Sequence, residues 1–162
     1  METSPPYSRD AVYNLANAYL ALNDHQKLVE TAAKLVEIEP MNEDVYRLLG
    51  QGHKGLKQDA EVLKAAEKLV GLPFTVEMGA FSLGKAGAKL QGTATGRSPT
   101  DAQGKAIKPA PVTLVVEFIT SGGQVVDTKE VAIPVLESGA AHQISVEGKG
   151  ADIAGWRYRA KV

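Results

Sequence analysis

The stretch that decides the fold is residues 24–40, which reads DHQKLVETAAKLVEIEP. Its apolar residues recur at helical spacing, and it closes on a proline, which cannot continue a helix. The apolar positions are Leu28, Ala32, Leu35 and Val36. The stretch therefore predicts an amphipathic helix that is capped at its start by Asp24 and stops at Pro40.

The same pattern returns along the chain at an interval of 34 residues. This shift superimposes Leu15 on Leu49, Leu22 on Leu56, Ala32 on Ala66, and Lys34-Leu35-Val36 on Lys68-Leu69-Val70. The repetition predicts two helical hairpins. The first helix covers residues 10–22 and the second ends at Pro40. The third helix follows the cap Asn42, and the fourth follows Asp59. Gly71 is expected to take a left-handed conformation at the end of the fourth helix.

These hairpins resemble the tetratricopeptide repeat, which has the same period and the same closing proline. Tyr46, Leu49 and Gly50 stand at the aromatic, leucine and glycine positions of that repeat's first helix. Leu28 and Val62 stand where the family has a small alanine, which predicts wider helix spacing or a variant of the family. The resemblance implies a helical domain over residues 9–73. Because two repeats rarely bury enough apolar surface alone, a cover is expected at each end.

After Pro73 the pattern changes from helical spacing to alternation, so we place a second, all-β domain at residues 74–162. Strands are predicted over residues 75–82, 89–96, 112–120, 125–135, 142–147 and 156–162, with a hairpin turn at residues 121–124. Short strands with regular turns and no helix between them are typical of a β-sandwich. The fold class is thus α+β in two domains, with the β domain expected to cover the C-terminal end of the helices.

The β half resembles the immunoglobulin-like FxLYD domain of bacterial envelope proteins. The residues that carry this resemblance are the run 90–96, the strand 112–120 with Gly122-Gly123, the loop 136–139 and Trp156-Arg157-Tyr158. Thr120-Ser121 replaces the motif's Tyr-Asp pair. The resemblance implies a non-catalytic module, and it points to a periplasmic or envelope-associated bacterial parent protein.

Composition and motifs favour a protein without catalytic activity. The chain has no cysteine and a net charge of -1, so thiol chemistry and a broad nucleic-acid footprint are not expected. Residues 79–86 approach a phosphate-binding loop, but Ala86 replaces the hydroxyl residue that would hold magnesium. The three histidines, His25, His53 and His142, lack metal-ligand spacing. We expect no metal, no cofactor, no signal peptide and no membrane span in these residues.

The inner surface of the helical repeats is the first candidate site. In tetratricopeptide proteins this surface is a groove lined by the first helix of each hairpin. The matching positions are Tyr13, Asn17, Leu20, Arg47, Gln51 and Lys54. Asn17 resembles the asparagine that holds a peptide backbone in carboxylate-clamp members, whereas Tyr13 replaces the clamp's lysine. The groove predicts binding of an extended polypeptide segment, with a merely solvated face as the alternative.

Arg157, Arg159 and Lys161 alternate along the last strand and form the second candidate site, for an anionic partner. The alternative is a charged strand that discourages edge-to-edge pairing. Function is accordingly expected to be protein–protein interaction or assembly. A structural spacer or self-associating fragment is one alternative. A carbohydrate-binding sandwich is another, although its only evident aromatics, Trp156 and Tyr158, alternate as buried residues do.

Overall fold

The computed structural model describes residues 8–162 and has helices first and strands second, as the sequence predicts. The helices are α1 (Arg9–Ala21), α2 (His25–Ile38), α3 (Glu43–Gly55) and α4 (Asp59–Val70). The strands are β1 (Phe74–Gly84), β2 (Gly87–Gly96), β3 (Val112–Ile119), β4 (Val125–Ile133), β5 (Ala141–Lys149) and β6 (Gly155–Ala160). The class is therefore α+β, with the change from helix to strand at the predicted place.

The two helical hairpins repeat one another closely. The bounds of α1 and α3 coincide after the 34-residue shift, and so do the first residues of α2 and α4. Asn23 and Lys57, which are equivalent under that shift, both have positive φ, at 55° and 58°. Sequence periodicity is thus matched by the same backbone path in both hairpins.

Two of the predicted helix caps are confirmed. The Asp24 carboxylate accepts a hydrogen bond from Lys27 N, and the Asn42 side chain accepts one from Asp44 N. The prediction for Gly71 is wrong, since its φ of -81° is right-handed. Its amide closes the helix with an ordinary hydrogen bond to Glu67 O, so the turn needs no left-handed residue.

A close approach of backbones joins the two hairpins. At Gly52 of α3, an added Cβ would lie 2.7 Å from Val29 Cγ2 and 3.3 Å from Val29 N of α2. Gly52 itself is buried, as are Leu28 and Ala32 on the facing helix. The α2–α3 junction is therefore packed tightly around this glycine.

The strands form two antiparallel three-stranded sheets, in the orders β1-β2-β5 and β4-β3-β6. The two sheets share a core, where the Phe118 ring of β3 lies directly against Gly148 of β5. Trp156 and Tyr158 point into this core, as their alternation predicts, with parallel rings whose centroids are 6.2 Å apart. In the turn before β4 only Gly123 of the predicted glycine pair has positive φ.

The β part docks beside the helices. The most extensive helix–strand contact is between α2 and β6. Leu63, near the start of α4, stays exposed. The expected cover over the C-terminal end of the helices is therefore incomplete, because the strands turn back toward the α2–α3 loop.

Candidate interaction surfaces

A buried ion pair lies where the two parts of the chain meet. The side chain of Glu39, which follows α2, is completely buried, and its Oε1 lies 2.8 Å from Arg9 Nε at the start of α1. Its other oxygen accepts a hydrogen bond from Asn42 Nδ2 at 3.2 Å. Because a buried carboxylate is stable only when paired and hydrogen-bonded, this arrangement ties α1 to the α2–α3 loop.

Hydrogen bonds connect the same loop to both sheets. Met41 N donates to the Tyr158 hydroxyl of β6 at 3.3 Å, and Val76 N of β1 donates to Met41 O at 2.9 Å. Glu43 N donates to Thr75 Oγ1 at 3.1 Å, and the Glu43 carboxylate forms an ion pair with Arg97. The loop between α2 and α3, with the first residue of α3, is therefore the place where the helices are attached to both sheets.

Burial sets the electrostatics of this junction. It raises the pKa of the Glu39 carboxyl above its ordinary value of 4.5, and the charge of Arg9 with the hydrogen bonds from Arg9 and Asn42 only partly opposes the rise. Burial also raises the pKa of Tyr158 well above 10.0, and the charge of Glu39 adds to that rise. The hydroxyl of Tyr158 therefore stays neutral at physiological pH.

The first-hairpin residues of the predicted groove are partly engaged within α1 itself. Tyr13 is half-buried, and the Arg9 guanidinium lies over its ring at 4.4 Å from the centroid. Asn17 is exposed, and its Nδ2 donates to Tyr13 O at 3.0 Å. Leu20 is half-buried against the core. A ligand that used the Asn17 amide would exchange this exposed intrahelical hydrogen bond for one of its own.

The second-hairpin residues of the groove lie at the equivalent positions of α3. Arg47, Gln51 and Lys54 are all exposed. Arg47 Nη1 lies 2.9 Å from Asp44 Oδ1 and 3.3 Å from Glu43 Oε1, one turn earlier on the same helix. Since α1 and α3 contact each other, the two sets of side chains lie on neighbouring helices.

The predicted basic stripe is largely neutralised by acidic residues of β3 and β4 in the same sheet. Arg157 Nε lies 2.6 Å from Glu117 Oε2, its register partner on β3. Lys161 Nζ lies 2.8 Å from Glu130 Oε1. Arg159 is exposed and forms no ion pair with any residue in the range 8–162. β6 is an edge strand of its sheet, which is compatible with a charged edge that discourages pairing, and neither this interpretation nor the anionic partner is tested by these contacts.

A cleft of about 590 Å³ lies beside the contact between α2 and β6. It is lined by Lys34, Glu37, Ile38, Glu117, Arg157, Tyr158 and Arg159. Charges of both signs line it, and the closest pair, Arg157 with Glu117, is already satisfied. The cleft therefore has no charge pattern that selects one class of ligand.

The described residues hold no group of three or more His, Asp or Glu side chains placed to bind a metal ion. His25 packs against Gly55, and His53 Nδ1 lies 2.7 Å from the side-chain oxygen of Gln58. Residues 79–86 lie on β1 and in the tight turn to β2, so a strand follows them where a phosphate-binding loop has a helix. Trp156 and Tyr158 are buried, so neither can form a stacking platform for a sugar.

The junction around Glu39 is the feature that sequence reasoning missed. A glutamate before a proline between two helices was the only local signal, and that signal does not identify a partner. No protein-family model matches the chain, and no curated protein matches it in sequence. No helix within residues 8–162 is long and apolar enough to cross a lipid bilayer.

Proposed function

We propose that this protein is a non-catalytic interaction module in which tetratricopeptide-type hairpins hold an extended polypeptide segment and an immunoglobulin-like, FxLYD-type domain buttresses them. The observation that carries the proposal is the repetition of the groove positions. Tyr13 and Arg47, Asn17 and Gln51, and Leu20 and Lys54 are equivalent pairs on two helices whose bounds coincide after one shift.

The side chains at these positions suit a peptide backbone. Asn17 and Gln51 carry amides that both donate and accept hydrogen bonds, which is what an extended segment requires. Lys54 adds an exposed charge at the same face. The contacts of Glu39 and Met41 support the proposed role of the β domain in holding the hairpins in place, because they link the first helix and the α2–α3 loop to β6.

A displayed library of random peptides tests this function. We expect selection on the immobilised protein to enrich a sequence family, and the double variant N17A/Q51A to weaken binding of an enriched peptide by at least about tenfold. The matched control is Q26A/Q143A, which removes two exposed amides from α2 and β5. Enrichment of no family, or equal loss in both double variants, would overturn the proposal.

A spacer that assembles with itself is the second candidate function. It is favoured by large apolar side chains that remain exposed at the first and last helices, including Leu22 just after α1 and Leu63 on α4. Size-exclusion chromatography with light scattering over a range of concentrations tests it, and a constant monomer mass would rule it out.

A further inference from the structure

Exposed apolar side chains form one stripe at each end of the helical array. The head face consists of Ala11, Leu15 and Ala18 on α1 and Leu22 just after it, and the tail face consists of Val62, Leu63 and Ala66 on α4; Ala11 and Val62 are half-buried and the others are exposed. Leu15, Leu22 and Leu63 are 45%, 74% and 64% exposed. The head-face residues follow one another at spacings of three or four, and Val62 and Leu63 lie four and three residues before Ala66, so each face lies along one side of its helix.

Both faces have a counterpart inside the molecule. The 34-residue shift that relates the hairpins maps the tail face onto Leu28, Val29 and Ala32 of α2, and it maps the head face onto Val45, Leu49, Gly52 and Leu56 of α3. Gly52 packs directly on Leu28 and Val29. The two end faces therefore correspond to the two halves of the α2–α3 junction, and neither is covered by a partner helix among residues 8–162.

We propose that a second copy of this chain completes the junction, with the head face of one copy packed on the tail face of the next. α1 of the second copy would then lie on α4 as α3 lies on α2. The occupant is a copy of this chain because every copy carries both complementary halves. Such a head-to-tail contact is heterologous, so it extends into rings or filaments.

Differences between the end faces and the internal junction predict a weak association. Ala18 has a Cβ where Gly52 has none, and Leu63 is larger than Val29, so the helices must lie farther apart. Asn14 replaces the buried Leu48, which removes apolar area from the contact. We therefore expect the mass to rise with protein concentration and not to be fixed.

The proposal deepens the spacer function and does not depend on peptide binding, since none of the groove residues belongs to either face. Peptide affinity and molecular mass are also separate readouts. Failure of the peptide selection would leave the assembly test intact, and a strict monomer would leave the peptide proposal intact.

Cysteine cross-linking tests the geometry directly, because the chain has no cysteine of its own. Position 18 corresponds to Gly52 and position 63 to Val29, so the proposal places these two positions of neighbouring copies in contact. Under mild oxidation we expect A18C mixed with L63C to give a disulfide-linked dimer. We expect much less from either variant alone and from A18C mixed with A33C, which carries an exposed cysteine on α2. Preferential linking of A18C to itself would show a symmetric dimer and overturn the head-to-tail arrangement.

Complementation of charged variants tests the same contact without a covalent bond. A18E blocks the head face and L63E blocks the tail face, and both sites are exposed, so the fold should be kept. We expect each variant alone to lose the concentration-dependent mass of the wild type. An equimolar mixture should recover up to twice the monomer mass, since one intact head meets one intact tail. A monomeric wild type, or a mixture that stays monomeric, would overturn the proposal, and thermal unfolding of each variant checks its fold.

Discussion

Arg9 Nε lies 2.8 Å from Oε1 of Glu39, so the first residue of α1 neutralises a completely buried carboxylate beyond the end of α2. This pair lies next to the loop that also bonds to β1 and β6 through Met41. The orientation of the first helix is thus coupled to the docking of the sheets.

Removal of Arg9 should be costly only while Glu39 remains charged. Arg9→Met leaves a buried carboxylate without its cation, which typically costs about 3–5 kcal/mol in the free energy of unfolding. The double variant R9M/E39Q removes both charges, and we expect it to be more stable than R9M alone. Urea unfolding of the wild type, both single variants and the double variant measures the coupling. Additive losses would contradict a direct interaction between the two side chains.

The pH dependence of R9M follows from the pKa of Glu39. A carboxyl whose folded-state pKa is raised contributes stability that is fully present below its unfolded pKa, near 4.5, and that is lost as pH rises through the folded pKa. Without Arg9 the pKa rises further and the loss grows. The stability deficit of R9M should therefore be largest at neutral pH and shrink on acidification toward 4.5. Urea midpoints across this range measure it.

The control for this pH dependence is the E39Q background, in which the deficit caused by R9M should not change with pH. A deficit that stays constant in the presence of Glu39, or that grows on acidification, would show that Glu39 is not the group that titrates.

Sequence patterns predicted the elements well because each element depends on nearby residues. The repeat fixed both hairpins, and the caps Asp24 and Asn42 act within three residues. The contacts of Glu39 and Met41 could not be predicted from the sequence. The Arg9–Glu39 bond joins residues 30 positions apart and the Met41–Tyr158 bond joins residues 117 positions apart, and no local pattern indicates such pairing.

Periodicity also identified the apolar side of each helix, but it does not show whether anything covers that side. The exposure of Leu15 and Leu63 therefore could not be predicted. The basic stripe met the same limit. The ion pair between Arg157 and Glu117 forms because β6 pairs with β3, and an alternating pattern alone does not specify that pairing.

Tyr158→Phe should loosen the contact between the sheets and the helices. The hydroxyl accepts a hydrogen bond from Met41 N, and its loss leaves a buried donor unpaired, at a cost of about 1–3 kcal/mol. The matched control is Tyr19→Phe at a half-buried site on α1, where we expect little change in stability. Hydrogen exchange at the Met41 amide gives a local readout. Unchanged protection there would contradict the assigned hydrogen bond.

Two glycines on one helix should respond oppositely to the same substitution. At Gly52, the Cβ of alanine would meet Val29 at 2.7 Å, and such overpacking costs about 1–3 kcal/mol. At Gly50, the nearest atom to a new Cβ is Ala65 Cβ at 3.8 Å, an ordinary contact. Alanine exceeds glycine in helix propensity by about 1 kcal/mol, so G50A should raise the midpoint of urea unfolding while G52A lowers it. Equal effects at both sites would show that α2 and α3 are not packed around Gly52. In that case the α2–α3 contact could no longer serve as the template for packing the head face of one copy on the tail face of the next.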